Sequence, residues 1–252
     1  MSHSFAISFH SGMSSSSDLR ACINANVPVG VVAGLLTGLQ KIMALPHYLD
    51  RGGKVFVDSG AFTAFRRNEP MNWNPVFWTY GVLIEGTDHP ENLTIVAPDI
   101  IGNQDLSVAL WEEHRALIRG WIESGARVVI PLQTGALTAP ALLEKAKDIL
   151  GTDRFCAGIP SNLAAMSAEE CSAITHHDFH VLGRVALNDE VKAKLDGILA
   201  RNPGAQVTAD ANWLRSRTRK LTLAGTVPPD RMNGFSTRRT QAVMRLLELE
   251  SY

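Results

Sequence analysis

The most constraining feature of this sequence is an alternation that runs almost its whole length. Short runs rich in β-branched and aromatic residues are each followed by a longer stretch of helical spacing, the pattern of βα units around a parallel sheet. The strand candidates are Phe5–His10, Lys54–Asp58, Leu93–Pro98, Arg127–Leu132, Arg154–Ile159, Phe179–Gly183, Gln206–Asp210 and Leu221–Ala224. Between them, Asp105–Ser124 places Leu106, Ala109, Leu110, Leu117 and Ile118 at helical spacing, and Pro140–Leu150, Ala165–Ile174, Asp189–Ala200 and Thr237–Leu249 behave alike. Eight strands with intervening helices predict an α/β fold of the TIM-type (β/α)8 barrel, formed as a single domain over residues 1–252. Residues 215–252 are expected to be a basic segment packed on that barrel. Two assignments stay open: Val27–Val32 reads equally as a strand, and Leu221–Ala224 equally as a loop. A doubly wound open sheet is the alternative, but it calls for a glycine-rich phosphate turn after its first strand, and Ser11–Gly12–Met13–Ser14 is not one. The serine run Ser14–Ser17 is expected to form a mobile loop above the barrel mouth.

A chain of 252 residues, 45% hydrophobic and 19% charged, has enough apolar material for one large core. Its longest apolar run, Val27 to Leu39, is too short to cross a bilayer and is broken by Pro28, Gly30, Gly34, Thr37 and Gly38. The first ten residues lack a basic region followed by an apolar stretch, so no secretory signal is expected and the cytoplasm is the expected compartment. Cys22, Cys156 and Cys171 are odd in number and widely spaced, which fits buried thiols rather than a zinc cluster. The net charge of −1 gives no general attraction to a polyanion, yet between Arg201 and Arg245 nine basic residues are opposed only by Asp210 and Asp230. That bias fits either phosphate contacts or an ordinary solvated helix face.

Strands of a parallel barrel are buried on both faces, so polar residues at their C-terminal ends mark a lined site. Here they recur. The second candidate strand ends Val57–Asp58–Ser59–Gly60–Ala61–Phe62, the third Pro98–Asp99, the fourth Pro131–Leu132–Gln133–Thr134–Gly135, the fifth Gly158–Ile159–Pro160–Ser161–Asn162, and the seventh Thr208–Ala209–Asp210–Ala211–Asn212–Trp213. A single aspartate in such a place caps a helix or closes a turn as often as not. Three on one ring repel each other unless a substrate, cation or proton is shared, so Asp58, Asp99 and Asp210 are read together as a site in which one carboxyl titrates high. His10 reads either as a lining residue or as a core histidine. His176, His177 and His180 are placed at the start of a strand, the end opposite the chemistry, and are read as structural or exposed. Trp213 fits equally a stacking surface for a base or sugar and core filling.

Taken in order, these rim segments resemble those of the tRNA-guanine transglycosylase superfamily, most closely the short phage and bacterial relatives that insert 7-deazaguanines into DNA. Val57–Asp58–Ser59–Gly60–Ala61–Phe62 resembles its D-S-G-G-F segment, the most specific of the matches. Asp99 resembles a base-recognising aspartate, Gln133 with Gly135 a Q-G-G turn, Gly158 and Ile159 a glycine-rich base-binding turn, and Val181–Leu182–Gly183 an L-M-G strand. Asp210 takes the place of the nucleophilic aspartate. The likeness spans about residues 54–217. The cysteine-rich zinc motif that follows the nucleophile in the tRNA enzymes is missing from Arg217–Tyr252, and Thr134 stands where a glycine is expected. Both departures move the expected substrate from tRNA towards DNA or a smaller nucleoside.

The resemblance implies a base-exchanging glycosyltransferase. Asp210 would trap the anomeric carbon as a covalent glycosyl adduct, and Asp58 would protonate the departing base and deprotonate the incoming one. The two roles need separated pKa values, so Asp58 is expected to be the less solvated. Asp99 would accept from N1–H and the 2-amino group of a guanine-type base while the Gln133 amide donates to O6, a pairing that adenine would break at a cost on the order of several kcal/mol. Ser59, Gly60, Phe62, Gly135, Gly158, Ile159 and Trp213 would line the base site, with Arg215 and Arg217 facing phosphate. No metal or redox cofactor is expected. The partners expected are nucleic acid, DNA before tRNA, and a free 7-deazaguanine base, with room for a protein partner or homodimer that opens the duplex. Rival readings are an N-glycosidase or nucleoside hydrolase, a barrel hydrolase or lyase for a small sugar or phosphorylated metabolite, and a non-catalytic nucleobase or nucleic-acid binding barrel.

Overall fold

In a computed structural model the chain forms a single-domain barrel of eight parallel strands, described here over residues 8–162, 164–183, 188–224 and 238–250. The strands are β1 (Phe9–His10), β2 (Val29–Val32), β3 (Val55–Asp58), β4 (Leu93–Val96), β5 (Arg127–Pro131), β6 (Cys156–Pro160), β7 (Asp178–Leu182) and β8 (Gln206–Ala211), and β8 pairs with β1 to close the ring. Around them run α1 (Ser16–Asn24), α2 (Leu39–Asp50), α3 (Ala61–Arg67), α4 (Trp73–Glu85), α5 (Gln104–Glu113), α6 (Arg115–Glu123), α7 (Ala139–Leu150), α8 (Ala168–Ala173), α9 (Asp189–Arg201), α10 (Trp213–Leu223) and α11 (Arg238–Glu250). No helix among the described residues is long and apolar enough to cross a membrane. The three cysteines are buried and unpaired with one another.

Four expectations are corrected. The barrel has eight strands, but the second is Val29–Val32, within the Val27–Val32 run left open above as a strand, and Gly30 lets the chain pass against Ser11: a Cβ there would stand 2.6 Å from the Ser11 hydroxyl. Leu221–Ala224 is the end of α10, an apolar run too short to show its period. Ser14–Ser17 is no loop above the mouth. Ser15 caps α1, its side chain accepting from the Asp18 amide, and Ser14 is buried with its hydroxyl accepting from the Val32 amide at 3.0 Å. The predicted start of the first strand at Phe5 lies outside the described residues. The helix predicted over Asp105–Ser124 is broken at His114 into α5 and α6.

Strand alternation sorts the side chains into two shells. Val55, Val57, Leu93, Ile95, Val128, Ile130 and Ile159 face outward and pack under the helices. Phe9, Phe56, Val96, Val129 and Cys156 face inward and, with Leu182 against them, fill the middle of the barrel. At the N-terminal end, Arg127 closes the floor: its guanidinium donates to Asp178 at 2.6 and 2.8 Å and to the Phe179 carbonyl at 3.0 Å. Cutting a buried pair on one side leaves an uncompensated charge. Asp178→Ala is therefore expected to destabilise the fold by about 3 kcal/mol in a denaturant titration, with binding at the opposite end unchanged.

The basic C-terminal segment packs on the barrel through α10 and α11, and α11 also rests on α1. Its arginines are partly spoken for. Arg239 of α11 donates to Asp18 of α1, and Arg215 of α10 approaches the same carboxylate at 3.9 Å.

Candidate functional site at the C-terminal mouth of the barrel

Asp58 is the last residue of β3, and the turn that follows is built on it. The Gly60 amide donates to Asp58 Oδ1 at 2.6 Å, and the Ala61 amide donates to Ser59 Oγ at 3.2 Å. Gly60 has φ 89°, the left-handed region that favours glycine, and a Cβ there would also sit 3.1 Å from Val32 Cγ1. The turn starts α3 and leaves Phe62 exposed to solvent at the mouth. Although one face of Asp58 is partly open, protein surrounds it. Loss of water raises its pKa to about 6, the charge of Asp210 adds to the rise, and the Gly60 hydrogen bond opposes it.

Asp99 is reached through Pro98, whose carbonyl accepts from Trp111 Nε1 at 3.0 Å, while the Ile100 amide donates to Ser107 Oγ at 2.9 Å. Both anchors belong to α5. The side chain is buried and accepts from Gln133 Nε2 at 2.7 Å. Burial raises its pKa to about 7, with Asp58 as a second contributor and the Gln133 bond opposing. The Gln133 amide is thus committed at both ends, because its Oε1 accepts from the Gly102 amide at 2.9 Å. One N–H of Gln133 remains for any ligand.

Asp210 is the inward-facing residue near the end of β8, in register with Phe9 of β1. Ser11, the next inward position after Phe9, donates to Asp210 Oδ2 at 2.5 Å. Below it, on β7, His180 is completely buried, and its Nε2 stands 3.6 Å from Asp210 Oδ1, beyond hydrogen-bond reach but in direct electrostatic contact. This corrects the reading of His180 as remote from the chemistry: β7 begins at Asp178, so His180 is its third residue and points into the barrel. His176 is structural, its Nε2 donating to the Phe155 carbonyl at 2.7 Å, and His177 is exposed. His10 alternates with Phe9 and so faces outward, where its ring meets Trp213 edge-on at 5.3 Å. Burial lowers its pKa to about 4, which keeps it neutral.

The structure therefore brings Asp58, Asp99, Gln133, Ser59, Gly60 and Asp210 to one mouth, joined there by Ser11 and His180. Other residues expected in the site stand elsewhere. Ile159 faces the helix layer. Gly135 makes room for Gln104, whose side chain lies 2.3 Å from where its Cβ would be and ties down the Gln133 and Leu137 carbonyls. Gly158 faces inward, and its missing side chain admits Leu182. Trp213 starts α10 with the Arg217 guanidinium 4.9 Å above its ring, a cation–π contact. Ser11 carried no motif. Its signal was positional, two residues past Phe9 on the inward face. Among the described residues no group of three or more histidines, cysteines or carboxylates is arranged to hold a metal ion.

In sequence the chain matches no protein-family model and no curated protein. In structure it is similar to a Coccidioides immitis protein assigned as a fructose-1,6-biphosphate aldolase, at 13% identity and a TM-score of 0.59, over 97% of this chain and 91% of that one. It is also similar to a xylose isomerase domain protein from Alicyclobacillus acidocaldarius, at 14% identity and a TM-score of 0.50, over 98% of this chain and 99% of that one. At such identities the likeness establishes the TIM barrel.

Proposed function

We propose that this protein is a base-exchanging transglycosylase. It would replace a guanine-type base in nucleic acid, DNA in preference to tRNA, with a 7-deazaguanine through an aspartyl-glycosyl intermediate. The observation that carries the reading is the contrast between two carboxylates at one mouth. Asp58 is pushed towards its protonated form by the surrounding protein. Asp210 is held by a hydroxyl on one oxygen and faced by an imidazole on the other. Two carboxyls in unlike surroundings are what acid catalysis and nucleophilic attack at one glycosidic bond require. Asp58 protonates the leaving base, and Asp210 attacks the anomeric carbon as that bond breaks. The incoming base, deprotonated by Asp58, then displaces Asp210. Asp99, ionised once it meets the N1–H and 2-amino donors of the base, reads the purine edge, and its Gln133 partner keeps it in place. The exposed ring of Phe62, on the helix that follows the Asp58 turn, offers a stacking surface for a base drawn out of a duplex or lying in a single strand.

The test is incorporation of radiolabelled guanine into DNA and, separately, into bulk tRNA by the purified protein. Label appearing in DNA is the expected result, and label in tRNA alone would reverse the choice of polymer. Release of free base from nucleic acid without incorporation would make the protein an N-glycosidase, with water in place of the incoming base. No turnover of either polymer by folded protein would sink the proposal.

A further inference from the structure

We infer that His180 is a positioning residue: its Nε2–H, aimed at Oδ1 while Ser11 holds Oδ2, keeps the Asp210 carboxylate in one orientation at the mouth of the barrel. The inference rests on the role proposed above for Asp210. The ring is clamped. It stacks on Phe56 with centroids 4.7 Å apart and planes 20° from parallel, and Phe9, packed on Phe56 at 5.6 Å, stands 6.1 Å away. Its Nδ1 lies 2.8 Å from Thr208 Oγ1, one inward position below Asp210 on β8.

The proton can be assigned from this geometry. The Thr208 hydroxyl has one hydrogen to give, and two acceptors compete for it: His180 Nδ1 at 2.8 Å and the Phe179 carbonyl at 3.3 Å. Were it spent on the carbonyl, Nδ1 would have to donate to Thr208, and a bare Nε2 would point at a carboxylate oxygen 3.6 Å away with no other partner. A buried lone pair facing an anion is unfavourable twice over, through repulsion and through an unmet hydrogen-bonding group. The shorter contact resolves both faults. Thr208 donates to Nδ1, and Nε2–H points at Asp210. Burial among the two phenylalanines disfavours a charged ring, so the imidazole stays a neutral donor rather than a counter-ion. The other charges near the ring, Arg127 and Asp178 at the barrel floor, are paired with each other. The arrangement is a Thr–His–Asp line running up the inner wall of β7 and β8, which orients the carboxylate from beneath and leaves its upper side to the substrate.

The test uses the full chain with ¹⁵N-labelled histidine and ¹³C-labelled aspartate, as wild type, His180→Phe and His180→Gln. Phenylalanine keeps a ring against Phe56 without a donor, and glutamine places an amide N–H near the position of Nε2. In the wild type, Nε2 is expected to carry the proton and Nδ1 to be bare. The Asp210 carboxyl resonance, assigned by its loss in Asp210→Asn, is expected to shift in His180→Phe, and kcat for exchange to fall about 10- to 100-fold, the cost of a nucleophile held less precisely. KM for the free base should hold, and His180→Gln should recover part of kcat. An Nδ1–H tautomer, or an Asp210 carboxyl resonance that is the same in wild type and His180→Phe, would overturn the inference. The two nuclear magnetic resonance readouts need no turnover. A wild type without exchange activity would therefore count against the proposed function alone, with His180 still decided by its tautomer and by the Asp210 carboxyl resonance.

Discussion

Asp210→Ala is expected to abolish base exchange, lowering kcat by about four orders of magnitude or more, while the protein remains folded. The other carboxyls described at the mouth, Asp58 and Asp99, are assigned to the proton and to the base, and removing a nucleophile typically costs on this scale. Ser11 loses its acceptor in the variant and His180 the carboxylate it faces, but Asp210 is itself partly exposed, so water from the mouth can fill the emptied position and the fold should tolerate the change. Asp58→Asn is expected to fail differently. An amide cannot deliver a proton, and general acid catalysis is worth about 10²- to 10⁴-fold. That loss should shrink for nucleosides whose base departs readily as an anion, because they need no proton, whereas Asp210→Ala should gain nothing from a better leaving group. Steady-state exchange measured over a series of leaving bases checks both claims. If Asp210→Ala keeps activity within tenfold of wild type, or if the two variants respond alike to the leaving base, the division of roles is wrong. A further consequence can be read in the same protein: with Asp210 neutralised in Asp210→Asn, the like charge that helps raise Asp58 is gone. The Asp58 carboxyl should then titrate below about 6.

The barrel and its three aspartates were legible in the sequence because a polar residue at the end of an all-apolar strand has few structural explanations. Val-Phe-Val-Asp and Thr-Ala-Asp announce themselves against their own hydrophobic runs. What the sequence hid depended on register. His180 becomes a partner of Asp210 only when β7 and β8 are aligned so that it lies opposite Thr208, two residues before Asp210. Placing the strand start at Phe179 instead of Asp178 left the histidine at the wrong end. Ser11 was hidden in the same way, since its contact to Asp210 crosses the seam where β8 meets β1. The misassigned strands have a local cause. Val29–Val32 is flanked by Pro28 and contains Gly30, both strand-weakening by composition, yet the ring leaves it no other place. The amide and glycine positions taken as base contacts show another limit. Gln133 and Gly135 do border the mouth, but Gln104, a residue with no motif to mark it, accounts for the glycine by filling the space a side chain would need. The arginines after Asp210 were read as free for phosphate, whereas Asp18 on a helix about 200 positions earlier engages Arg215.

The second large effect is expected from Asp99→Asn, and it runs in opposite directions for stability and for binding. The folded carboxyl titrates near 7, about three units above an unperturbed aspartate. Between those values the folded chain holds a proton that the unfolded chain has lost, so wild-type stability falls as pH rises from about 4 to about 7 and is flat beyond. Asparagine does not titrate and can still accept from Gln133 through its carbonyl oxygen. The variant should therefore match wild type near pH 4 and exceed it at pH 8 by on the order of 3 kcal/mol, a rise in melting temperature of several degrees. Thermal unfolding at the two pH values gives the comparison directly. A buried carboxylate that costs this much stability is hard to explain by packing alone, since an amide of the same shape does better. Its use would be to present two acceptor oxygens to the N1–H and amino group of a guanine-type base. Asparagine offers one acceptor and sets its own N–H against the other donor, so binding of guanine should weaken about 10³-fold or more. Wild-type affinity for the base should in turn rise with pH up to about 7, as Asp99 is freed of its proton before the base arrives. A variant that is stabilised at pH 8 and still binds guanine normally would mean that Asp99 is held at the mouth for something other than reading the purine edge. A variant with neither gain nor loss would mean that the buried carboxyl is already relieved of its charge by another partner.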